Sequence, residues 1–402
     1  MTARRASVIV VSRHRAAALR RCLLALAQQD HPKFEVVVVA DPAGVAAAQA
    51  LGLRLKILPF DEANISAARN LGLAQAAGEI VAFIDDDAVA EPTWLSRLCT
   101  AFDAPQVIAA TGFVRGRNGI SYQWQACEVD ATGLDHPLPP DAGLYAGTRR
   151  RAVKTQGTNC AFRRGALAAI GGFDPAYRFY LDEADVNLRL APHGLTAVVP
   201  DAQVHHGYAA STRRRSDRVP LSLHEIAASI AAFLRRHAPD ALELDTIPAI
   251  AAQEGRVAQL LRHRQVTATE AQHLLASLAE GWDEGMLRDP AALPALPDAD
   301  EFTPLSCTGP RQGTVLAGRI WQRSMLATAA AKAVARGEIT TVICLAPTLR
   351  AHRMQFTDHG YWLQSGGLFG WSVRQGSRLR LKPFRARIAE EIVRIGHYRP
   401  VR

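Results

Sequence analysis

The chain has 402 residues, 48% of them hydrophobic and 21% charged, with a formal net charge of +9 and a pI near 9.6. That length accommodates two or three domains with a sizeable core, and the charge favours anionic partners such as nucleoside diphosphates or phospholipid headgroups. No apolar run approaches the ~20 residues of a membrane helix, and no nucleic-acid-binding module is recognisable, so nucleic acid is not expected as a partner.

The six cysteines, at 22, 99, 127, 160, 307 and 344, show no metal-ligand spacing, which fits a reduced compartment. The apolar run after Arg4 and Arg5 is too short for a signal peptide. A cytoplasmic protein is expected, soluble or peripheral at the inner face of the membrane.

Ala6 to Val11 reads as a buried strand. Ala17 to Gln28 reads as a helix, with Leu19, Cys22, Leu23 and Leu26 on one stripe. Phe34 to Val39 is a second strand. A strand, helix and strand within about 35 residues make a βαβ unit, hence a parallel sheet with a right-handed crossover. Ligands of such sheets sit beyond the carboxyl ends of the strands. Here those ends are Ser12 to Arg15, Asp41, and a triplet of acids further on.

Leu55 to Phe60 is a third strand. Ala63 to Ala77 is a helix opened by Asn64 or Ser66, both good N-caps. Arg69 and Asn70 lie near its start, where a phosphate or a surface acid is an equally natural partner. Ile80 to Ile84 is an apolar run that ends in Asp85, Asp86 and Asp87. Three like charges at a sheet edge cost free energy unless a cation sits there, and oxygen ligands suit Mg²⁺ or Mn²⁺. Alternation along extended backbone lets Asp85 and Asp87 face one way and Asp86 the other. A solvated acidic turn is the rival reading.

A helix follows to about Phe102, then a strand from Val107 to Phe113. Residues 115–157 read as an irregular, basic loop, of a length that is usually functional or mobile. Thr158 to Phe162 is a strand, Arg164 to Ile170 a short helix, and Tyr180 to Ala191 a helix that opens with Asp182, Glu183 and Asp185. Acids in a first turn complement the helix dipole, but capping does not need three. Val198 to His206 ends in two histidines. Residues 213–287 are mostly helical, with Leu223, Ile226, Ile230, Phe233 and Leu234 on one stripe. Residues 288–310 form a Pro-rich linker. Residues 311–402 form a small α/β piece that includes an aromatic and glycine-rich stretch from Tyr361 to Trp371. It becomes strongly basic from Arg374 onward, a candidate contact for anionic lipid or polymer.

The stretches Asn64 to Gly72, Asp85 to Asp87, Thr158 to Gly165, Gly171 to Asp174 and Leu181 to Asp185 together resemble the family 2 glycosyltransferases, over roughly residues 6–210. The resemblance implies an α/β chain with a GT-A, Rossmann-like, mainly parallel sheet in residues 1–212, followed by the helical segment and the C-terminal piece. It implies an inverting, metal-dependent transferase that moves a sugar from a nucleotide-diphosphate donor to an acceptor hydroxyl on a glycan or lipid-linked acceptor, in assembly of cell-surface or exported polysaccharide.

Ser12, Asp41, Arg69, Asn70, Asp85 and Asp86 would contact the donor. Asp85 and Asp87, the DXD-type acids, would hold Mn²⁺ or Mg²⁺ with His205, or else with His206. The base would be Glu183, with Asp185 next and Asp182 in the same group. The family's usual Glu-Asp order is inverted at Asp182 and Glu183. That keeps open a chain that binds nucleotide-sugar or glycan without turnover.

Overall fold

The computed structural model describes residues 3–207, 213–215, 217–289, 293–299, 301–306, 309–375 and 377–401. The boundary expected at 212, Pro290 of the linker and Cys307 lie outside them. The other five cysteines are free thiols.

The N-terminal part alternates strand and helix: β1 (Ala6–Ser12), α1 (Ala16–Leu26), β2 (Phe34–Ala40), α2 (Pro42–Gln49), β3 (Lys56–Pro59), α3 (Ile65–Gln75) and β4 (Ile80–Asp85). β4, β1, β2 and β3 are consecutive parallel neighbours. Each strand of the centre is a near-continuous apolar run because both faces are covered. Even Glu35 is buried in β2; it takes a proton donor from Ser7 (2.7 Å) and a salt bridge from Lys56 (3.0 Å). The α1 stripe packs into the core as its spacing requires. In α3 the Asn64 side chain accepts from the Ala67 amide at 3.0 Å, a conventional N-cap.

A three-residue strand, β5 (Ala88–Ala90), follows the acidic turn. Then come α4 (Trp94–Thr100), β6 (Val107–Arg115), β7 (Tyr122–Trp124), β8 (Cys127–Asp130), β9 (Asp135–Pro137), β10 (Gly143–Tyr145), β11 (Arg151–Val153), β12 (Cys160–Arg163), α5 (Arg164–Ala169), α6 (Asp182–Leu190) and β13 (Leu195–His206). The main sheet runs β10-β13-β6-β12-β4-β1-β2-β3, with β5 on β13 and β7 on β6. β12 is antiparallel to both its neighbours. β13 slips register between Val199 and Gln203. The bulge is held by Asn159, whose amide donates to Phe113 O (2.9 Å) and Ala202 O (2.8 Å). The stretch expected to be irregular, 115–157, carries β7 to β11. Strands of three or four residues are too short to show alternation in sequence.

Three helices follow: α7 (His224–His237), α8 (Pro248–Arg262) and α9 (Ala268–Leu287). Leu223, Ile230, Phe233 and Leu234 are buried, so the apolar stripe of α7 packs inward. Gly281 and Gly285 of α9 are required by close approach: a Cβ there would lie 2.1 Å from His224 O and 2.4 Å from Ala228 O.

The C-terminal part is a separate four-stranded sheet of β14 (Gly313–Arg319), β15 (Ile339–Ala346), β16 (Arg353–Phe356) and β17 (Trp362–Gly367), ordered β14-β15-β17-β16, with α10 (Arg323–Ala335) and α11 (Phe384–Gly396). Trp362, in the aromatic stretch, is fully buried. It lies under the Arg399 guanidinium at 3.7 Å from the ring centroid. Arg399 donates to both oxygens of buried Glu91, just after β5, at 2.6 and 2.7 Å. Burial would raise the Glu91 carboxyl, but Arg399 and His205 hold it well below its usual range. Removing one partner of a buried pair strands the other charge. Arg399→Met is therefore expected to lower the unfolding free energy by about 3–5 kcal/mol, read as a lower denaturant midpoint in urea.

Candidate active site

The parallel register brings the carboxyl ends of β1, β2 and β4 side by side, with Ser12 opposite Ala40 and Val11 opposite Asp85. Asp85 ends β4, and Asp86 and Asp87 turn the chain into β5. Asp86 points inward. It accepts from Ser12 Oγ at 2.6 Å and pairs with Arg15 at 2.6 Å. Burial pushes its carboxyl up to about 7, against the pull of Arg15. Arg15 also lies 3.4 Å from Asp87. Asp41 is buried and accepts from the His14 backbone amide at 3.0 Å, which fixes the turn after β1, where His14 is left-handed at φ 59°.

Asp85 and Asp87 face His206. Its Nε2 lies 3.2 Å from Asp87 and 4.0 Å from Asp85, and the three ligand atoms all fall within 4.8 Å of one another. On the other side of the ring, Nδ1 is 3.0 Å from Gln123 Oε1. With Nδ1–H donating to that carbonyl oxygen, Nε2 turns a lone pair toward two carboxylates. In that tautomer Nε2 and the two carboxylates can ligate one cation together. Two carboxylates and a neutral imidazole suit Mn²⁺.

His205 projects from the opposite face of β13, as the residue next to His206 must in a strand. It meets Glu91 at 2.7 Å and packs on Trp362, with centroids 5.0 Å apart. The structure thus gathers Asp85, Asp87 and His206, and places His205 against the C-terminal sheet.

A second acidic group comes from α6. Leu181, just before it, is left-handed at φ 63°, ψ 7°, a strained conformation for leucine, costing about 1–2 kcal/mol. It directs Asp182 inward to an ion pair with Arg69. Arg69 is buried against Phe173, 5.1 Å from the ring centroid, and its other nitrogen lies 3.7 Å from Asp85. One guanidinium therefore joins the two acidic groups. Burial, and then the adjacent Glu183, push the Asp182 carboxyl well above its ordinary range. Burial would raise Glu183 too, but the Asp182 hydrogen bond, Arg69 and Lys154 outweigh it and hold Glu183 low. Glu183 is the ionised, partly exposed member of the pair.

Asp185 has no exposed surface. One oxygen accepts from Arg189 (2.8 and 2.6 Å), the other from Arg236 (3.0 Å) and pairs with His237 (2.9 Å). Burial would raise it; His237, Arg189 and Arg236 instead hold it at about 2. It pins α6 to α7. Asn70 is equally committed, donating to Phe173 O (2.6 Å) and accepting from Phe173 N (2.8 Å). Gly171 and Gly172 beside it need positive φ, 77° and 71°.

Arg15, Gln123 and Lys154 also belong to this site. Arg15 had a sequence signal in its place just after β1, and Lys154 in the basic character of its loop. Gln123 arrives from the loop-rich stretch, where no periodicity marks it.

Residues 7–171 match the family model described as Glycosyl transferase family 2, so the resemblance read from the motifs is borne out over that span. A segment of 92 residues, 21% of this chain, is 38% identical to the succinoglycan biosynthesis protein ExoM of Rhizobium meliloti (strain 1021) and covers 29% of that protein. Another of 120 residues, 28% of this chain, is 28% identical to the glucosyl-dolichyl phosphate glucuronosyltransferase of Haloferax volcanii and covers 34% of it. The chain thus spans about a third of the length of these curated relatives.

Among solved structures, the mannosyltransferase PcManGT from Pyrobaculum calidifontis in complex with GDP-Man and Mn²⁺ aligns with a TM-score of 0.45 and 19% identity, over 71% of this chain and 89% of that one. S. aureus TarS 1-349 in complex with UDP-GlcNAc aligns with a TM-score of 0.44 and 20% identity, over 70% and 79%.

Proposed function

We propose, from the family 2 glycosyltransferase match over residues 7–171, that the chain is an inverting glycosyltransferase acting on a nucleotide-diphosphate sugar. The observation that carries this is Arg69, which joins the Asp85–Asp87–His206 group to the Asp182–Glu183 pair. A leaving diphosphate needs positive charge, an attacking hydroxyl needs a base, and the two groups would supply them on either side of the Arg69 guanidinium.

Asp85, Asp87 and His206 would hold Mn²⁺ or Mg²⁺, which when bound neutralises charge developing on the diphosphate. Arg15 and Arg69 add fixed positive charge beside it. Ser12, Asp41 and Asp86 shape the floor under the nucleoside. Glu183 takes the acceptor's hydroxyl proton. The freed oxygen bonds the anomeric carbon as its bond to the diphosphate breaks, inverting that centre. Asp182 and Asp185 position Glu183, through Arg69 and through α7. His205 and Asn70 act in packing. The similarity to a succinoglycan biosynthesis protein supports a role in exported or cell-surface polysaccharide, with a glycan or lipid-linked acceptor.

A thermal-shift screen of nucleoside diphosphates and their sugars, with and without Mn²⁺, tests this. A ligand bound only by the folded state stabilises by RT ln(1 + [L]/Kd), about 2.7 kcal/mol at 100 Kd. One base should stand out, only with metal, and its sugar donor should release nucleoside diphosphate. Binding without release would mark a nucleotide-sugar-binding protein; no response to any nucleotide would overturn both readings.

A further inference from the structure

The C-terminal sheet carries a surface that sugar transfer does not use. β14, β15 and β17 are parallel, with Arg319 opposite Leu345 and Ala346 opposite Gly367, so all three end at one rim. Three segments leave that rim: 320–325, 347–350 and the described residues of the third, 368–375 and 377–385. Their contacts hold them together. The Arg319 guanidinium lies 4.2 Å from the Phe384 ring centroid. Gly367 N donates to Arg350 O at 2.8 Å, and Arg380 N to Phe369 O at 3.0 Å.

The rim exposes large apolar side chains: Leu381 (76%), Trp321 (70%), Leu349 (64%) and Met325 (59%). Around them, residues 319–325, 347–350 and 374–385 hold eight arginines and lysines and no carboxylate. Among the described residues, Glu390 on α11 reaches this set, pairing with Arg380 and Lys382 at 3.5 and 3.4 Å. Among the described residues no helix is long and apolar enough to cross a membrane.

We propose that this rim docks on an anionic lipid bilayer, with Trp321, Leu349 and Leu381 entering the headgroup boundary and the surrounding cations facing lipid phosphates. The charge pattern alone would also suit a soluble polyanion. The apolar side chains decide between them: a polyanion leaves them in water, whereas a bilayer buries them while it meets the charge. Nothing here depends on the transferase reading.

Co-sedimentation of the full chain with phosphatidylcholine vesicles, with and without phosphatidylglycerol, tests the proposal, with polyphosphate as the soluble comparison. Binding is expected only with the anionic lipid and should weaken with salt. Arg323→Gln, Arg350→Gln and Arg385→Gln should each lower partitioning roughly 5-fold. Trp321→Ser combined with Leu381→Ser should lower vesicle binding at least about 10-fold and leave polyphosphate binding unchanged. These side chains are exposed, and circular dichroism confirms that each variant is folded. No vesicle binding at low salt, equal binding to neutral vesicles, or apolar variants that bind vesicles like the parent would each overturn the proposal.

Discussion

Glu183→Gln is expected to lower sugar transfer about 10²–10⁴-fold, the usual contribution of a general base, with donor affinity nearly unchanged. The amide keeps the shape and loses only the proton-accepting charge. The Asp182 hydrogen bond, Arg69 and Lys154 hold the Glu183 carboxyl low against burial, which leaves it able to accept a proton. Asp185→Asn separates this from a general effect of acids in α6. Both Asp185 oxygens are taken up by Arg189, Arg236 and His237, so that change should show as lost stability rather than as a selective fall in kcat. Turnover retained in Glu183→Gln but lost in a fully folded Asp185→Asn would reverse the assignment.

The second large effect is at the acidic turn. Asp85→Asn combined with Asp87→Asn should cost about 10³-fold in transfer or more, since charge stabilisation by a bound cation supplies several kcal/mol and each 1.36 kcal/mol is tenfold. Asp86 stays paired with Arg15 and Ser12 in that variant. The turn should therefore keep its shape, and the thermal midpoint without nucleotide should move little. Equal loss from Asp86→Asn alone would point to the fold rather than the cation.

Much of this was legible in the residues. The near-continuous apolar runs of β1, β2 and β4, and the stripe of α1, announced a parallel sheet. The triplet Asp85 to Asp87 at the end of one run announced the site. Sequence order favours His205 as the histidine that faces the acids, with His206 second, and the structure reverses that order. The answer depends on the register of β13 against β5, and that register puts His206 rather than His205 beside Asp87.

α2 was missed because Pro42 to Gln49 is almost uniformly small and apolar, leaving no contrast between faces. α11 was missed because its charge hid an amphipathic pattern, with Ile388 and Ile395 buried. The roles of Asn70 and Asp185 as clamps depend on partners 103 and 51 residues away, a distance that no local pattern records.

The most direct test is electron paramagnetic resonance of Mn²⁺ bound with nucleoside diphosphate. The parent should bind one Mn²⁺ per chain with an imidazole nitrogen coupling. His206→Ala should abolish that coupling and His205→Gln should keep it. Unchanged Mn²⁺ binding in His206→Ala and in Asp85→Asn with Asp87→Asn, together with the same nucleotide affinity in EDTA, would contradict a cation held at the end of β4.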